Sequence, residues 1–287
     1  MSAGSLHDDV TVVVPCFNYG RFLEDALASL RAQEGGAPRI LVVDDGSTDP
    51  ETLALLERLP DDVELLRQSN AGPAAARNTG LGATRTPLVL VLDADDMLAP
   101  EALGVLKQAL SEHPEAGYAY GVAQFFGKWS GKLTMPGWDS YGLLFRHAIG
   151  ATALTRRELI EDVGGYDSHI RGYEDWEFWL HALAKGWRGV KVPDVTLLYR
   201  RHGETKLAGD RREYRRWYRA IRAKHADLYA RQRELARESG LGPVQRAVYR
   251  FYWGPRPIPA VVEAGLHQLL WGRARIRARL RAGRPGR

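Results

Sequence analysis

The sequence predicts an α/β fold, in which a mostly parallel sheet is flanked by helices and followed by a helical basic extension. Three features support this prediction. Short β-branched apolar runs alternate with segments of helical periodicity through the first 99 residues, as in sheets built from right-handed βαβ units. Two of the apolar runs end directly in acidic residues. The balance of charge also reverses near residue 204, where the predicted sheet ends.

The predicted elements are separated by short turns. Strands are expected where apolar runs are short and rich in valine, and helices where apolar residues recur every three or four positions. The expected strands are 10–14, 40–43, 63–66, 88–96, 117–126 and 190–199. The expected helices are 21–33, 51–59, one that opens within 72–78, 101–111, 176–185 and one long helix over 210–238.

The stretch 88–96, LVLVLDADD, is the centre of this pattern. Its apolar half is typical of a strand buried on both faces, and Asp93, Asp95 and Asp96 close it. Ligands of open α/β sheets bind beyond the carboxyl ends of the strands. Neighbouring carboxylates repel one another unless a cation shares them, and Mg²⁺ or Mn²⁺ prefers oxygen ligands. These acids therefore indicate either a divalent metal site or the cap of a following helix.

A second pair of acidic residues directly follows the strand expected at 40–43. Asp44 and Asp45 precede a Gly-Ser turn, whose backbone N–H groups can meet a ligand. We expect a functional role for this pair, because acids placed before a turn are poorly explained as helix caps. Asp49 stands just before a proline and is expected to cap the next helix.

Four other ionisable side chains have two interpretations each. Arg77, one turn into its helix, holds an anion such as a phosphate or is a surface or salt-bridging arginine. Glu174 and Asp175 either cap the helix at 176–185 or, partly desolvated between aromatic residues, have a raised pKa suited to a base. His202 ends the last strand and is either structural or a ligand of metal or diphosphate.

A loop rich in glycine and aromatic residues is expected over 129–142. Its aromatic side chains either stack on a sugar or anchor the loop to the core. The residues in question are Trp129, Trp138 and Tyr141.

The composition excludes several classes of protein. Cys16 is the single cysteine, so the chain has no internal disulfide framework and no cysteine-built zinc site. No leader sequence and no apolar run of about 18 residues is visible, so we expect neither secretion nor a membrane span. Cytoplasmic residence is the resulting expectation.

The charge of the chain is unevenly distributed. Residues 205–287 contain 21 Lys and Arg against 6 Asp and Glu, a net charge of +15, whereas residues 1–204 contain 19 against 29, a net charge of −10. An acidic body argues against nucleic acid as a partner. The basic tail is either solvated or in contact with anionic lipid at the inner face of the plasma membrane. Its last arginines alternate with apolar residues, at positions 273, 275, 277, 279 and 281.

Four motifs, VVVPCFNYG, LVVDDGSTD, NAGPAAARNTG and VLVLDADD, resemble in order and spacing the nucleotide-binding half of the family 2 glycosyltransferases, which have the GT-A fold. The segment GGYDSHIRGYEDWEFWLHALAKGW is similar to the stretch that supplies the catalytic base in inverting members. The resemblance implies a catalytic domain over 1–204, with a nucleotide-binding half (1–99) and an acceptor and catalytic-base half (100–204). Residues 205–287 would then be the helical basic extension.

The resemblance also implies an activity. Such enzymes transfer a sugar with inversion from a UDP-, GDP- or dTDP-sugar to a glycan or lipid-linked acceptor hydroxyl, in the synthesis of polysaccharides, glycolipids or other glycoconjugates. By position, Asp175 would be the catalytic base and Glu174 its supporting acid. A divalent metal, Mn²⁺ or Mg²⁺, would be held by Asp93, Asp95 and His202. The nucleotide-sugar would be bound by Pro15, Phe17, Asn18, Asp44, Asp45, Arg77 and Asp93.

Two other classes of protein remain open. A sugar-1-phosphate nucleotidyltransferase has a related sheet and uses Mg²⁺ at similar acids. Such enzymes usually place a glycine-rich loop with Arg and Lys after the first strand, and residues 15–21, PCFNYGR, lack it. A non-catalytic module that binds nucleotide-sugar would keep the same pocket without turnover.

Overall fold

The computed structural model describes residues 5–128, 130–133, 137–147, 149–202 and 211–252. The chain divides into two compact units, residues 1–240 and 241–287. The described strands of the first unit are β1 (Val10–Cys16), β2 (Arg39–Asp44), β3 (Val63–Arg67), β4 (Leu88–Val91), β5 (Met97–Leu98), β6 (Ala116–Gly127), β7 (Gly131–Leu133), β8 (Leu154–Arg156) and β9 (Arg188–Arg201). Its described helices are α1 (Gly20–Arg31), α2 (Pro50–Leu56), α3 (Pro73–Ala83), α4 (Ala102–Glu112), α5 (Ser140–Leu143), α6 (Arg157–Val163), α7 (Glu174–Ala184), α8 (Arg211–Lys224), α9 (Ala226–Ala230) and α10 (Gln232–Glu238).

The described strands form one sheet in the order β3-β2-β1-β4-β8-β6-β9-β5, with β7 paired to β6. The neighbours β3, β2, β1 and β4 are parallel, and so are β6 and β9. β8, β7 and β5 join the sheet antiparallel. The predicted mostly parallel sheet flanked by helices is thereby confirmed. Its most buried strand is β1, where Val10, Val12, Val13 and Val14 have no exposed surface, because neighbours cover both edges and both faces.

Helix α3 lies close against β1 because it carries a glycine at the contact. A Cβ atom added to Gly80 would overlap the side chain of Val13. The absence of a side chain lets the helix axis approach the sheet. This approach positions Arg77, which lies one turn before Gly80 on the same helix.

The chain leaves the sheet earlier than predicted at its central acidic segment. β4 ends at Val91, and the chain then turns, with the N–H of Asp96 donating to the carbonyl of Asp93 at 3.0 Å. The next two residues pair antiparallel with β9 as β5, instead of starting a helix. Asp96 is buried and accepts the N–H of Arg200 at 2.8 Å. The helix-cap interpretation of these acids is therefore wrong, because Asp96 ties the turn to β9.

The helices that follow the sheet also differ from the prediction. The single helix predicted over 210–238 is three helices, α8, α9 and α10. Apolar residues of these helices are buried within the first unit, at Tyr218, Ile221, Leu228 and Leu235. The first compact unit includes these three helices and extends to Gly240.

The second unit is described over one helix, α11 (Pro243–Tyr252). Val244 and Phe251 are 74% and 56% exposed on this helix, which also contains Arg246 and Arg250 and no acidic residue. The alternating arginines at 273–281 lie outside the described residues. No helix in the described part of the chain has the length and apolar content that spanning a bilayer requires.

Candidate active site

The two acids at the end of β2, Asp44 and Asp45, are buried and accept hydrogen bonds from neighbouring loops. Oδ1 of Asp44 accepts the N–H of Ser47 at 2.9 Å. Asp45 accepts the N–H groups of Ala71 at 2.8 Å and Gly72 at 2.9 Å, and the side-chain amide of Gln68 at 2.7 Å. The two carboxylates therefore stabilise the loops beyond the strand ends by accepting backbone N–H groups. Asp44 stabilises the turn after β2, and Asp45 stabilises the loop before α3.

The loop after β1 is tied to the loop after β2 through Asn18. Its backbone has φ +55°, a left-handed conformation that asparagine tolerates better than most residues. Its Oδ1 accepts the N–H groups of Thr48 at 2.8 Å and Asp49 at 2.9 Å. Asp49 in turn caps α2, with Oδ2 accepting the N–H of Thr52 at 2.8 Å, which confirms the cap predicted there. Phe17, 42% exposed, lies beside Asn18 in this loop.

The side chain of Arg77 bridges two elements of the site. Nη2 lies 2.9 Å from Oδ1 of Asp93 and Nη1 lies 3.3 Å from Oε1 of Glu174. Burial disfavours the charge, but the nearby acids raise the pKa of Arg77 well above its usual range. The salt-bridge interpretation of this residue is therefore the one the structure shows, since its side chain is only 8% exposed. The bridge joins the end of the central strand to the start of α7.

The second acid of the Asp-x-Asp motif contacts the histidine that follows β9. Nε2 of His202 lies 2.7 Å from Oδ2 of Asp95, and its ring packs on Phe22 with centroids 4.5 Å apart. Burial and the negative charge of Asp93 raise the pKa of Asp95, while the contact with His202 opposes that rise. The structure thus brings the Asp-x-Asp motif and His202 together, although Asp95 and His202 are 107 positions apart in the sequence.

The side chains of Asp93, Asp95 and His202 provide some of the ligands that a divalent ion needs. Asp95 and His202 offer a carboxylate and an imidazole, which Mn²⁺ accepts as ligands, and Asp93 is 39% exposed. One oxygen of Asp93 is engaged by Arg77. Within the described residues, no group of three or more His, Cys, Asp or Glu side chains could hold a metal ion in its present arrangement. A metal would therefore need Asp95 and His202 together with oxygens supplied by a ligand such as a diphosphate.

The candidate base, Asp175, lies at the start of α7 and is paired with a histidine. Its Oδ1 accepts the N–H of Trp176 at 2.9 Å, and its Oδ2 lies 2.8 Å from Nε2 of His147. Burial alone would raise the pKa of Asp175, as the sequence predicts, but His147 and Arg77 lower it below its ordinary value. The expectation of a raised pKa is wrong, because desolvation is outweighed by two positive neighbours. Asp175 is therefore ionised at neutral pH, as a proton acceptor must be.

Two of the three aromatic candidates, Trp138 before α5 and Tyr141 within it, have the anchoring role. Nε1 of Trp138 donates to the hydroxyl of Tyr118 at 2.9 Å. Tyr141 is buried against Phe145, with ring centroids 5.1 Å apart. Trp129, the third candidate, lies outside the described residues.

One member of the site was not identified from the sequence. His147 lies in the run FRHAIG, which has no motif, periodicity or acidic neighbour that would mark it. A buried ion pair between distant segments is visible only after the loop and α7 have been packed together.

The sequence is similar to those of known glycosyltransferases. The family model described as "Glycosyl transferase family 2" matches residues 11–173, so it ends just before Glu174. The chain is 32% identical over 213 residues to the succinoglycan biosynthesis protein ExoO of Rhizobium meliloti (strain 1021), covering 67% of this chain and 60% of that protein. It is 30% identical over 222 residues to the pre-mycofactocin glycosyltransferase of Mycobacterium tuberculosis (strain ATCC 25618 / H37Rv), covering 70% and 44%.

A solved structure shares the fold. The crystal structure of S. aureus TarS in complex with UDP superimposes with a TM-score of 0.61 and 19% identity, covering 84% of this chain and 69% of that chain. The chain spans about 60% of the length of curated relatives such as ExoO. Because the family model covers more than half of the sequence, the resemblance is confirmed: the chain belongs to glycosyltransferase family 2.

Proposed function

We propose that this chain transfers a sugar from a nucleotide-diphosphate-sugar to an acceptor hydroxyl, with inversion at the anomeric carbon. The main support is the bridge from Asp93 through Arg77 to Glu174, which brings the Asp-x-Asp turn and the acid pair at the start of α7 into one site. The relative ExoO is named for succinoglycan biosynthesis, so we propose polysaccharide, glycolipid or other glycoconjugate synthesis as the setting.

The donor is proposed to bind beyond the carboxyl ends of β1, β2 and β4. Asn18, Asp44 and Asp45 order the surrounding loops through bonds to backbone N–H groups, and Pro15 and Phe17 would line the nucleotide. The partly exposed carboxylate of Asp93 would face the ribose and diphosphate. TarS was crystallised with UDP and with UDP-GlcNAc, which makes a UDP-sugar the first donor to test, ahead of GDP- and dTDP-sugars.

The chemistry assigned to Asp175 is that of a general base. Its carboxylate takes the proton of the acceptor hydroxyl while that oxygen forms a bond to the anomeric carbon. The bond from the anomeric carbon to the diphosphate breaks on the opposite face, and the nucleoside diphosphate leaves with the electron pair. Glu174 holds Arg77 in place beside this reaction.

A divalent ion, Mn²⁺ or Mg²⁺, is proposed as cofactor, with Asp95 and His202 as protein ligands beside the oxygens of the diphosphate. Asp93 is proposed as the third protein ligand through the oxygen that Arg77 does not engage. When bound, such an ion would neutralise charge on the departing diphosphate. The contact between Asp95 and His202 supports the assignment, because it brings a carboxylate and an imidazole together beside the predicted diphosphate site.

The proposal is tested by release of nucleoside diphosphate from a panel of UDP-, GDP- and dTDP-sugars, with Mn²⁺, Mg²⁺ or EDTA. We expect release from one donor, dependent on metal, and lost in Asp95→Ala and Asp175→Asn. Asp61→Asn, at an exposed position outside the site, is the matched control. Turnover retained in Asp175→Asn would overturn the base assignment. Absence of donor binding by calorimetry would favour the non-catalytic alternative, and synthesis of nucleotide-sugar with release of pyrophosphate would favour the nucleotidyltransferase.

We also propose that the second unit contacts anionic lipid. Residues 241–287 contain ten arginines and one acidic residue, and α11 exposes Val244 and Phe251 beside its own two arginines. Basic residues near an anionic surface contribute about 1 kcal/mol each. Flotation with phosphatidylserine vesicles should retain the full chain and not a chain ending at Gly240. Equal flotation of both would remove this unit from the proposal.

A further inference from the structure

His147 lies in the loop between α5 and β8 and meets the proposed base directly. Its Nε2 is 2.8 Å from Oδ2 of Asp175, and the two side chains are 24% and 16% exposed. Its ring packs edge-on against Tyr173, with centroids 5.9 Å apart and planes at 67°. A pair shielded in this way interacts more strongly than a pair on the open surface, because less water screens the charges.

The loop that carries His147 is held by side chains from three helices. Nε1 of Trp176 donates to the carbonyl of Leu143 at 2.7 Å, and Nε1 of Trp179 donates to that of Gly150 at 3.1 Å. From the C-terminal helices, the hydroxyl of Tyr229 donates to Leu144 at 2.6 Å and that of Tyr214 to Phe145 at 2.5 Å. Helix α7, which carries Asp175, therefore also fixes the loop that carries His147, and α8 and α9 contribute two further hydrogen bonds to that loop.

Other charged or titratable groups face the pair from the elements packed against it. Arg77 faces Asp175 from α3, and the carboxylate of Glu174 faces His147 from the start of α7. Arg146 adds a positive charge beside the ring. Tyr166 lies near Asp175, while Tyr173 is influenced by both Asp175 and Glu213 of α8. The direct contact with His147 is the shortest of these interactions for Asp175.

We infer that His147, as an imidazolium, is a positioning residue for the transfer reaction, which orients the carboxylate of Asp175 and keeps it ionised. This inference rests on the proposed function and deepens it, because it assigns a role to a residue outside the family motifs. Each carboxylate oxygen has two lone pairs, so the hydrogen bond from Trp176 and the ion pair with His147 leave acceptor sites for the incoming proton.

The ionisation of the pair agrees with this role. Burial lowers the pKa of His147, but the charge of Asp175 raises it above the ordinary histidine value. The pKa of Asp175 is lowered by the same contact. The pair is therefore intact above the folded-state pKa of Asp175, and it is lost as pH rises through that of His147.

The first test is the pH dependence of kcat for donor hydrolysis, with water as acceptor, in the full chain at saturating donor and metal. His147→Gln keeps a polar side chain of similar length but removes the charge that forms the ion pair. We expect its kcat at pH 7 to fall roughly ten-fold or more and its acid limb to move up by about one pH unit or more, with donor affinity unchanged. His169→Gln, at a histidine 93% exposed, should match wild type.

The second test does not require activity. In wild type the imidazole of His147 should titrate above the ordinary value of about 6.5 by NMR, and in Asp175→Asn it should titrate lower. An identical titration in both proteins would overturn the inference. If Asp175→Asn is inactive while His147→Gln keeps the wild-type pH profile, the inference fails and the proposed function stands. If Asp175→Asn remains active, the proposed base itself is wrong.

Discussion

Nη1 of Arg77 lies 3.3 Å from Oε1 of Glu174, although 97 positions separate the two residues. The same guanidinium holds Asp93 at 2.9 Å. Removing one member of a buried ion pair leaves the other charge without a partner, and this costs more than the pair itself contributes. The link between the central strand and α7 therefore depends on one side chain.

We expect Arg77→Met to lower the free energy of unfolding by about 3–5 kcal/mol, as measured by urea denaturation. Arg77→Lys should lower the free energy of unfolding by less than Arg77→Met, because lysine keeps the positive charge. It should still be less stable than wild type, because lysine lacks the planar guanidinium that reaches both Asp93 and Glu174. Arg31→Met is the control, since Arg31 forms an exposed pair with Asp62 and should cost less than about 1 kcal/mol. Similar losses for Arg31→Met and Arg77→Met would contradict this account of the bridge.

The packing of α3 on β1 gives a prediction with a control in the same helix. Gly80→Ala should destabilise the protein by about 1–3 kcal/mol, because the new methyl group overlaps Val13. Gly82 has no atom within 4 Å of an added Cβ, so Gly82→Ala should stabilise the helix by about 0.5–1 kcal/mol. Thermal denaturation of both variants measures the two changes in stability. If both variants were stabilised or both destabilised, the result would count against a close approach of α3 to β1 at Gly80.

Asn18 combines a left-handed backbone with bonds between two loops, and two variants separate these roles. Asn18→Gly removes the bonds to Thr48 and Asp49 but accepts φ +55°. Asn18→Ala removes the bonds and is strained there, so we expect it to cost about 1 kcal/mol more than glycine. Both should weaken donor binding in calorimetry. Wild-type donor affinity in both variants would remove this loop from the donor site.

The acid stability of the first unit should depend on Glu177. Its Oε1 lies 2.7 Å from Nε2 of His225 and 2.9 Å from Nζ of Lys224. Burial raises the pKa of Glu177, but these two partners lower it below its ordinary value overall. A lowered pKa contributes stability above the ordinary value of about 4.3, and this stability is lost as pH falls through the folded value.

Asp167 extends the same effect to lower pH. Burial raises its pKa, but bonds from Lys224 and His169 lower it to about 2. We therefore expect the free energy of unfolding to decline from about pH 4 to about pH 2. In Glu177→Gln the decline should be shallower, as measured by urea denaturation at each pH. An unchanged slope would show that Glu177 is not protonated in this range.

The acids at the strand ends illustrate what local sequence can predict. Asp44, Asp45, Asp93 and Asp95 follow apolar runs that the sequence identifies as parallel strands, and the structure places them at the edge where those strands end. The cap at Asp49 was equally predictable, because it depends on residues three positions apart. The course of the chain after Val91 was not, since β5 forms only where β9 offers a free edge.

The sequence by itself determined the alternation of strands and helices, the acidic edge of the sheet and the family, because periodicity, turn chemistry and motifs are properties of short segments. Tertiary structure decided that Arg77 bridges Asp93 and Glu174, that Asp175 has His147 beside it, and that α8, α9 and α10 belong to the first unit. It also decided the sign of the pKa shift at Asp175, because that sign depends on burial weighed against charges delivered by distant segments.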